Sequence, residues 1–200
     1  MDAKVIHYTT QKTWKGLVSV PGSNLEPKRM IGKDGPFIFA YSTDGEEQWR
    51  NFKSPSGYPY LELFVGQFIA NSGERPVVRL EADLKDDELG KVLVYDRAHM
   101  QKPEFRQFYM ERHRRKLAGV SRDDIPKPAG WEQSERDYEA SKTPFIGYKG
   151  GFGLPELAIP FPIPVARLQP TETLWFREWE VIRREPNQDN GAANPRKVFK

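Results

Sequence analysis

Val5-Ile6-His7-Tyr8-Thr9-Thr10 and Phe37-Ile38-Phe39-Ala40-Tyr41-Ser42-Thr43 are two short, strand-like segments that end in polar residues, and their reading decides the fold. Both are rich in β-branched and aromatic side chains, which suit a pleated, half-buried backbone. Alternate residues of a strand share a face, so Val5, His7 and Thr9 point together, as do Phe37, Phe39, Tyr41 and Thr43. The two polar ends are thereby expected to line one cleft.

Working outward, Gln11 to Val18 reads as a short helix that the Thr10 hydroxyl can cap. Val20 to Gly35 carries Gly22, Gly32 and Gly35 and reads as a loop over a site. Asp44 to Phe52 reads as a helix with acids in its first turn, broken by Ser54-Pro55-Ser56-Gly57-Tyr58-Pro59. The clearest strand is Val77 to Leu84, where Val78, Leu80, Ala82 and Leu84 alternate with Arg79, Glu81 and Asp83, predicting one buried face and one wet face. Lys91 to Tyr95 is a further strand, Pro103 to Leu117 a helix with proline at its start, and Trp131 to Ser141 a second, mostly polar helix. Leu154 to Ile159, Pro164 to Leu168 and Thr173 to Ile182 read as three late strands. Strands interspersed with a few helices, without regular alternation, predict an α+β domain over residues 1–185 with a mixed or antiparallel sheet. Residues 186–200 lack apolar content and read as a flexible tail.

Two hundred residues with 38% hydrophobic content can bury a sizeable core. Thirty-one basic against 28 acidic residues leave a net charge of +3, too small and too mixed to announce nucleic-acid binding. The absence of cysteine excludes disulfides, thiolate metal sites and a cysteine nucleophile. No stretch approaches the roughly 20 apolar residues of a membrane helix, so a soluble, cytoplasmic protein is expected. A route of export that needs no signal peptide stays open. Neither G-x-G-x-x-G after the first strand nor a Walker loop occurs, which argues against a Rossmann or P-loop nucleotide site.

Several residues carry chemistry, and each has a plain structural alternative. The His7 imidazole can donate one hydrogen bond and accept another, which suits a ribose hydroxyl, a proton shuttle, or only a local hydrogen-bond network. Tyr41, on a face with Phe37 and Phe39, is either core or a stacking surface. Glu156 lies between apolar residues just after the glycine-rich Gly150-Gly151-Phe152-Gly153, so it needs a partner, a cavity or an exposed edge. Arg112, Arg114, Arg115 and Lys116 close a helix, where cations are favourable in any case, and they could also meet phosphate. His99 and His113 lack metal-ligand spacing and no metal site is expected. Glu46-Glu47 and the pair Glu178 and Glu180 read as exposed.

Taken in order, His7-Tyr8-Thr9, Phe39-Ala40-Tyr41-Ser42-Thr43 and Pro155-Glu156-Leu157-Ala158-Ile159-Pro160 resemble the three motif strands of the ADP-ribosyltransferase superfamily. The likeness is to the branch of diphtheria toxin and the poly-ADP-ribose polymerases, and the glutamate strand is also similar to that of DNA-modifying toxins. The resemblance implies an ADP-ribosyltransferase-like split sheet with NAD as substrate. It implies that His7 and Thr9, with Tyr8 and Ser42 beside them, bind the nicotinamide side of NAD, that Tyr41 stacks on the ring, and that Glu156 holds the ribose and steers the acceptor. It implies transfer of ADP-ribose to a protein or nucleic acid, or NAD hydrolysis. The Glu/Gln-x-Glu of the arginine-modifying branch is missing, because Leu154-Pro155 precedes Glu156.

On this reading Arg112, Arg114, Arg115 and Lys116 would dock an acidic acceptor. The competing expectation is a non-enzymatic accessory module that binds nucleic acid or protein through the basic helix end and anchors at Trp131, Trp175 and Trp179. A hydrolase built on Glu178 and Glu180 is a third.

Overall fold

The computed structural model describes residues 3–53, 59–62, 64–65, 76–121, 124–175 and 178–181. The expected tail therefore lies outside the described residues, as does most of the break at 54–59. So do the side chains of Lys116, Trp175, Glu178, Trp179 and Glu180.

The chain is α+β. Its strands are β1 (Ala3–Thr10), β2 (Asn24–Leu25), β3 (Arg29–Ile31), β4 (Asp34–Ser42), β5 (Val77–Leu84), β6 (Leu93–Asp96), β7 (Thr143–Pro144), β8 (Pro155–Ile159), β9 (Ile163–Pro164), β10 (Gln169–Trp175) and β11 (Glu178–Val181). The helices are α1 (Gln11–Val18), α2 (Thr43–Asn51), α3 (Asp86–Leu89), α4 (Arg106–Leu117) and α5 (Trp131–Ala140). One sheet runs β11-β10-β5-β1-β4-β8-β6-β7 with β3 on β4, while β2 and β9 pair separately. Every described pairing is antiparallel.

Two strand ends feed directly into helices because each supplies a cap. The Thr10 hydroxyl accepts from the Thr13 amide at 3.1 Å and opens α1. Ser42 does the same for the Gly45 amide at 3.1 Å and opens α2. Ser42 is thus a capping residue.

The sheet has two differently dressed faces. On the first, Val5, Ile38, Ala40, Val78, Leu80, Leu157 and Ile159 form a core to which Trp14 and Leu17 of α1 add their apolar side. On the second, Ile6, Tyr8 and Tyr41 meet Trp49 of α2, and further along Phe37, Tyr95 and Ala158 meet Phe105, Phe108, Trp131 and Tyr138. Helices α4 and α5 therefore roof the β4-β8-β6 part of this second face.

Four expectations change. The stretch 20–35 is not all loop: β3 turns back through Gly32-Lys33 into β4, with Ile31 opposite Asp34. Gly32 takes the positive φ (54°) that such a two-residue connection requires. The strand expected at 164–168 is only Ile163–Pro164 followed by a 3-10 turn over Val165–Arg167, since Pro162 and Pro164 have no N–H to give a ladder. The single strand expected over 173–182 is instead the end of β10 and the whole of β11, paired antiparallel with Trp175 opposite Glu178. The expected wet face of β5 is covered at one end: Arg79 is buried, whereas Glu81 is half-buried and Asp83 exposed.

Candidate functional site

Glu156 is the second residue of β8, the strand between β4 and β6, and it stands opposite Tyr95. It is 2% exposed. The Tyr138 hydroxyl donates to its Oε2 at 2.8 Å. The Arg97 guanidinium lies over the Tyr138 ring, 5.4 Å from its centre. Burial is the largest single influence on Arg97 and opposes its charge, but Glu156, with Tyr138 and Tyr109, together outweigh it and keep the guanidinium protonated. Burial first, and Glu156 second, push the Tyr138 phenol well above its ordinary range, so it acts as a donor at neutral pH.

The approach to Glu156 is held by a carboxylate and a helix. Asp96 accepts from the amides of Gly153 (3.1 Å), Leu154 (3.0 Å) and Ala98 (3.0 Å). From α2, the Gln48 amide donates to the Gly153 carbonyl at 3.0 Å and the Trp49 indole to that of Pro155 at 2.9 Å. A Cβ on Gly153 would meet the Ala98 methyl at 2.9 Å. The glycine-rich loop is therefore fastened at its end, where the strand carrying Glu156 begins.

Tyr41 shares the face of Glu156. It is buried against Tyr8 (centroids 5.8 Å apart) and Trp49 (5.2 Å), each edge-on. Its phenol is pushed well up, first by burial and then by Glu156. At 4% exposure its packed ring offers no face to a ligand.

His7 takes the opposite face. Ile6 pairs with Tyr41 and His7 with Leu80, so alternation separates His7 from Tyr41 and Glu156. The β1–β4 ladder contains only Val5 opposite Ser42 and Ile6 opposite Tyr41. Past it the strands part, and the His7 Nδ1 donates to the Phe39 carbonyl at 2.7 Å. Donating that bond fixes the tautomer, with the proton on Nδ1 and Nε2 left as the acceptor. Burial, against the opposing effect of that hydrogen bond, brings the imidazole from 6.5 down to about 4. His7 is neutral at pH 7. Arg29, over the Phe39 ring at 5.7 Å, lies close enough to bias both His7 and Tyr41.

Tyr8 and Thr9 are buried. The Tyr8 hydroxyl donates to Glu46. Arg79 grips the same carboxylate through Nε and Nη2, both at 2.7 Å, and Arg50 reaches it at 3.2 Å and Glu172 at 2.9 Å. Glu46, expected on the surface, is 5% exposed. Burial works against its ionisation, yet the bonds from Arg79 and Tyr8 hold its carboxyl below the ordinary range. The arrangement ties α2 to β1, β5 and β10.

The basic helix end is largely spoken for. Arg114 and Arg115 both bind Glu111, at 2.9 and 2.8 Å, and Arg115 also binds Asp124 at 2.5 Å. Those bonds hold Glu111 down to about 2. Arg112 instead lies over the Phe108 ring at 5.4 Å and faces inward. It borders a cavity of about 360 Å³ between β3 and the roof helices, shared with Arg97, Trp131, Glu135, Tyr138 and Glu139.

The structure thus gathers Tyr41 and Glu156, places His7 across the sheet, and adds Arg97 and Tyr138, which sequence reasoning did not single out. The one available signal was the spacing Trp131, Glu135, Tyr138, a single helical face. No family model, curated protein or solved structure matches this chain. Among the described residues no helix is long and apolar enough to cross a membrane.

Proposed function

We propose that this chain cleaves NAD and passes the ADP-ribosyl group to a protein, a nucleic acid or water, with Glu156 as the decisive carboxylate. The observation that carries the reading is the adjacency of β1, β4 and β8 in the sheet, which makes neighbours of three segments spaced far apart in sequence. As the bond from the ribose C1′ to the nicotinamide nitrogen breaks, the electron pair leaves with nicotinamide and positive charge builds on the ribose. A carboxylate in a dry site stabilises that charge. The acceptor oxygen or nitrogen then bonds to C1′ and gives up its proton. Tyr138 orients the Glu156 carboxylate; His7, on the other face of the sheet, holds the parting of β1 and β4 through the Phe39 carbonyl and takes no part in the chemistry. Tyr41 supports the site from within the core, since its ring is packed.

Incubation with NAD labelled in the adenylate, with cell extract as acceptor source, tests this. Nicotinamide release and label transfer are expected from the wild type and not from Glu156→Gln, which preserves the shape of the side chain. A folded wild type that releases no nicotinamide removes the reading.

A further inference from the structure

The cavity between β3 and the roof helices carries charge of both signs. Arg97 and Arg112 line it together with Glu135 and Glu139. Two of the four are already answered: Arg97 by the negative charge of Glu156, and Glu135 by Lys127 at 3.0 Å. The other two form no ion pair among the described residues, with each other or with a third group. Arg112, half-buried, rests on the Phe108 ring at 5.4 Å. Glu139, exposed, sits against Gly32, where its carboxylate occupies the space a Cβ would need. One cation on α4 and one anion on α5 therefore border the same small space.

Tyr109, also in the lining, registers both. Burial raises its phenol most, and after it Arg97 and Arg112 pull it down while Glu135 pushes it up. Charges of both signs thus stand within reach of one ring, which is fixed by its bond to the Met100 carbonyl at 2.9 Å. An ion of a single sign entering here gains at one wall and is repelled at the other. A dipolar ligand gains at both. The planar Arg112 fork suits a carboxylate, and an ammonium has N–H donors enough for two carboxylates. Ile31, Met100 and Tyr109 add apolar lining.

We infer that this cavity binds a free α-amino acid with an apolar side chain, its carboxylate on Arg112 and its ammonium between Glu135 and Glu139. A volume of about 360 Å³ lies at the lower end of small-ligand sites, as a molecule of this size requires. The inference does not rest on the chemistry proposed for Glu156, which is not part of the lining.

Calorimetric titration with phenylalanine and with leucine tests it, beside phenethylamine, which lacks the carboxylate, and hydrocinnamate, which lacks the ammonium. An amino acid should bind at least about tenfold more tightly than either singly charged analogue, since each analogue loses a charged hydrogen bond and meets an unanswered charge. Arg112→Gln and Glu139→Gln should each weaken amino-acid binding about tenfold. They should move the analogues in opposite senses: Arg112→Gln raises the affinity for phenethylamine, and Glu139→Gln that for hydrocinnamate. No NAD enters the titration and Glu156 is not varied, so this proposal and the NAD reading fail separately. Absence of binding by both amino acids at millimolar concentration to the folded protein overturns the inference, as does an analogue that binds as tightly as phenylalanine, or an affinity that Arg112→Gln and Glu139→Gln both leave unchanged.

Discussion

Ile6 lies directly across from Tyr41, and this pair is the last in the β1–β4 ladder. One residue later the strands part and the His7 ring replaces the ladder with its own bond to the Phe39 carbonyl. The histidine is therefore part of how the sheet opens, whatever else it does.

A pH dependence follows from that placement. The folded imidazole titrates at about 4 against 6.5 ordinarily, so between those values the unfolded chain binds a proton the folded chain refuses. Stability should be complete above about pH 6.5 and fall as the pH drops toward 4, by up to about 3 kcal/mol from this group. Urea unfolding from pH 7.5 to 4.5 measures it. His7→Gln keeps a donor for Phe39 and should flatten this part of the slope; identical slopes in the two proteins would refute the assignment.

Arg79 and Glu46 form a buried two-point ion pair. Removing one partner strands the other charge, and Arg79→Leu should cost about 3–5 kcal/mol. The double variant Arg79→Leu, Glu46→Leu should recover a large part of that loss. If the double variant is no more stable than the single one in denaturant melts, the pair is not the source of the cost.

Gly153 has room for no side chain because the Ala98 methyl would lie 2.9 Å from its Cβ. Gly153→Ala should lower stability by about 1–3 kcal/mol through overpacking. Adding Ala98→Gly clears the space, and the combination should lose less than the two changes summed. Simple additivity in thermal melts would show that the contact is not responsible.

Tyr138→Phe removes the hydroxyl that holds Glu156. A buried carboxylate oxygen left without its donor should cost about 1–3 kcal/mol. On the activity proposed for Glu156, the same variant should slow NAD cleavage through a fall in kcat rather than a rise in KM. A loss confined to KM would assign Tyr138 to binding alone.

The periodic elements were legible because their signals are local. Alternation in Val77 to Leu84 marks a strand, Thr10 marks a helix start, and the order of His7, Tyr41 and Glu156 marks three strands that prove to be neighbours in the sheet. Face was not legible. Which side His7 takes depends on the register of β1 against β4, and register is set by partners far away in sequence. Burial of charge was hidden for the same reason: Glu46 reads as a surface acid until α2 is laid over β5, where Arg79 waits. The aromatic and arginine surroundings of Glu156 come from 97 and 138, and only the folding of α5 onto the sheet unites them.

The position of β8 also has a consequence for how the molecule is made. Residues 155–159 enter the middle of the sheet, pairing with β4 on one side and β6 on the other. Both partners leave the ribosome earlier, so until the last quarter of the chain emerges they present open hydrogen-bonding edges to solvent or to each other. Such edges attract strands from other molecules, and closure over long sequence separations is slow. A transcript cut short before residue 155 should therefore yield aggregates rather than a smaller soluble protein, and synthesis of the full chain should benefit from a chaperone that shields nascent strands.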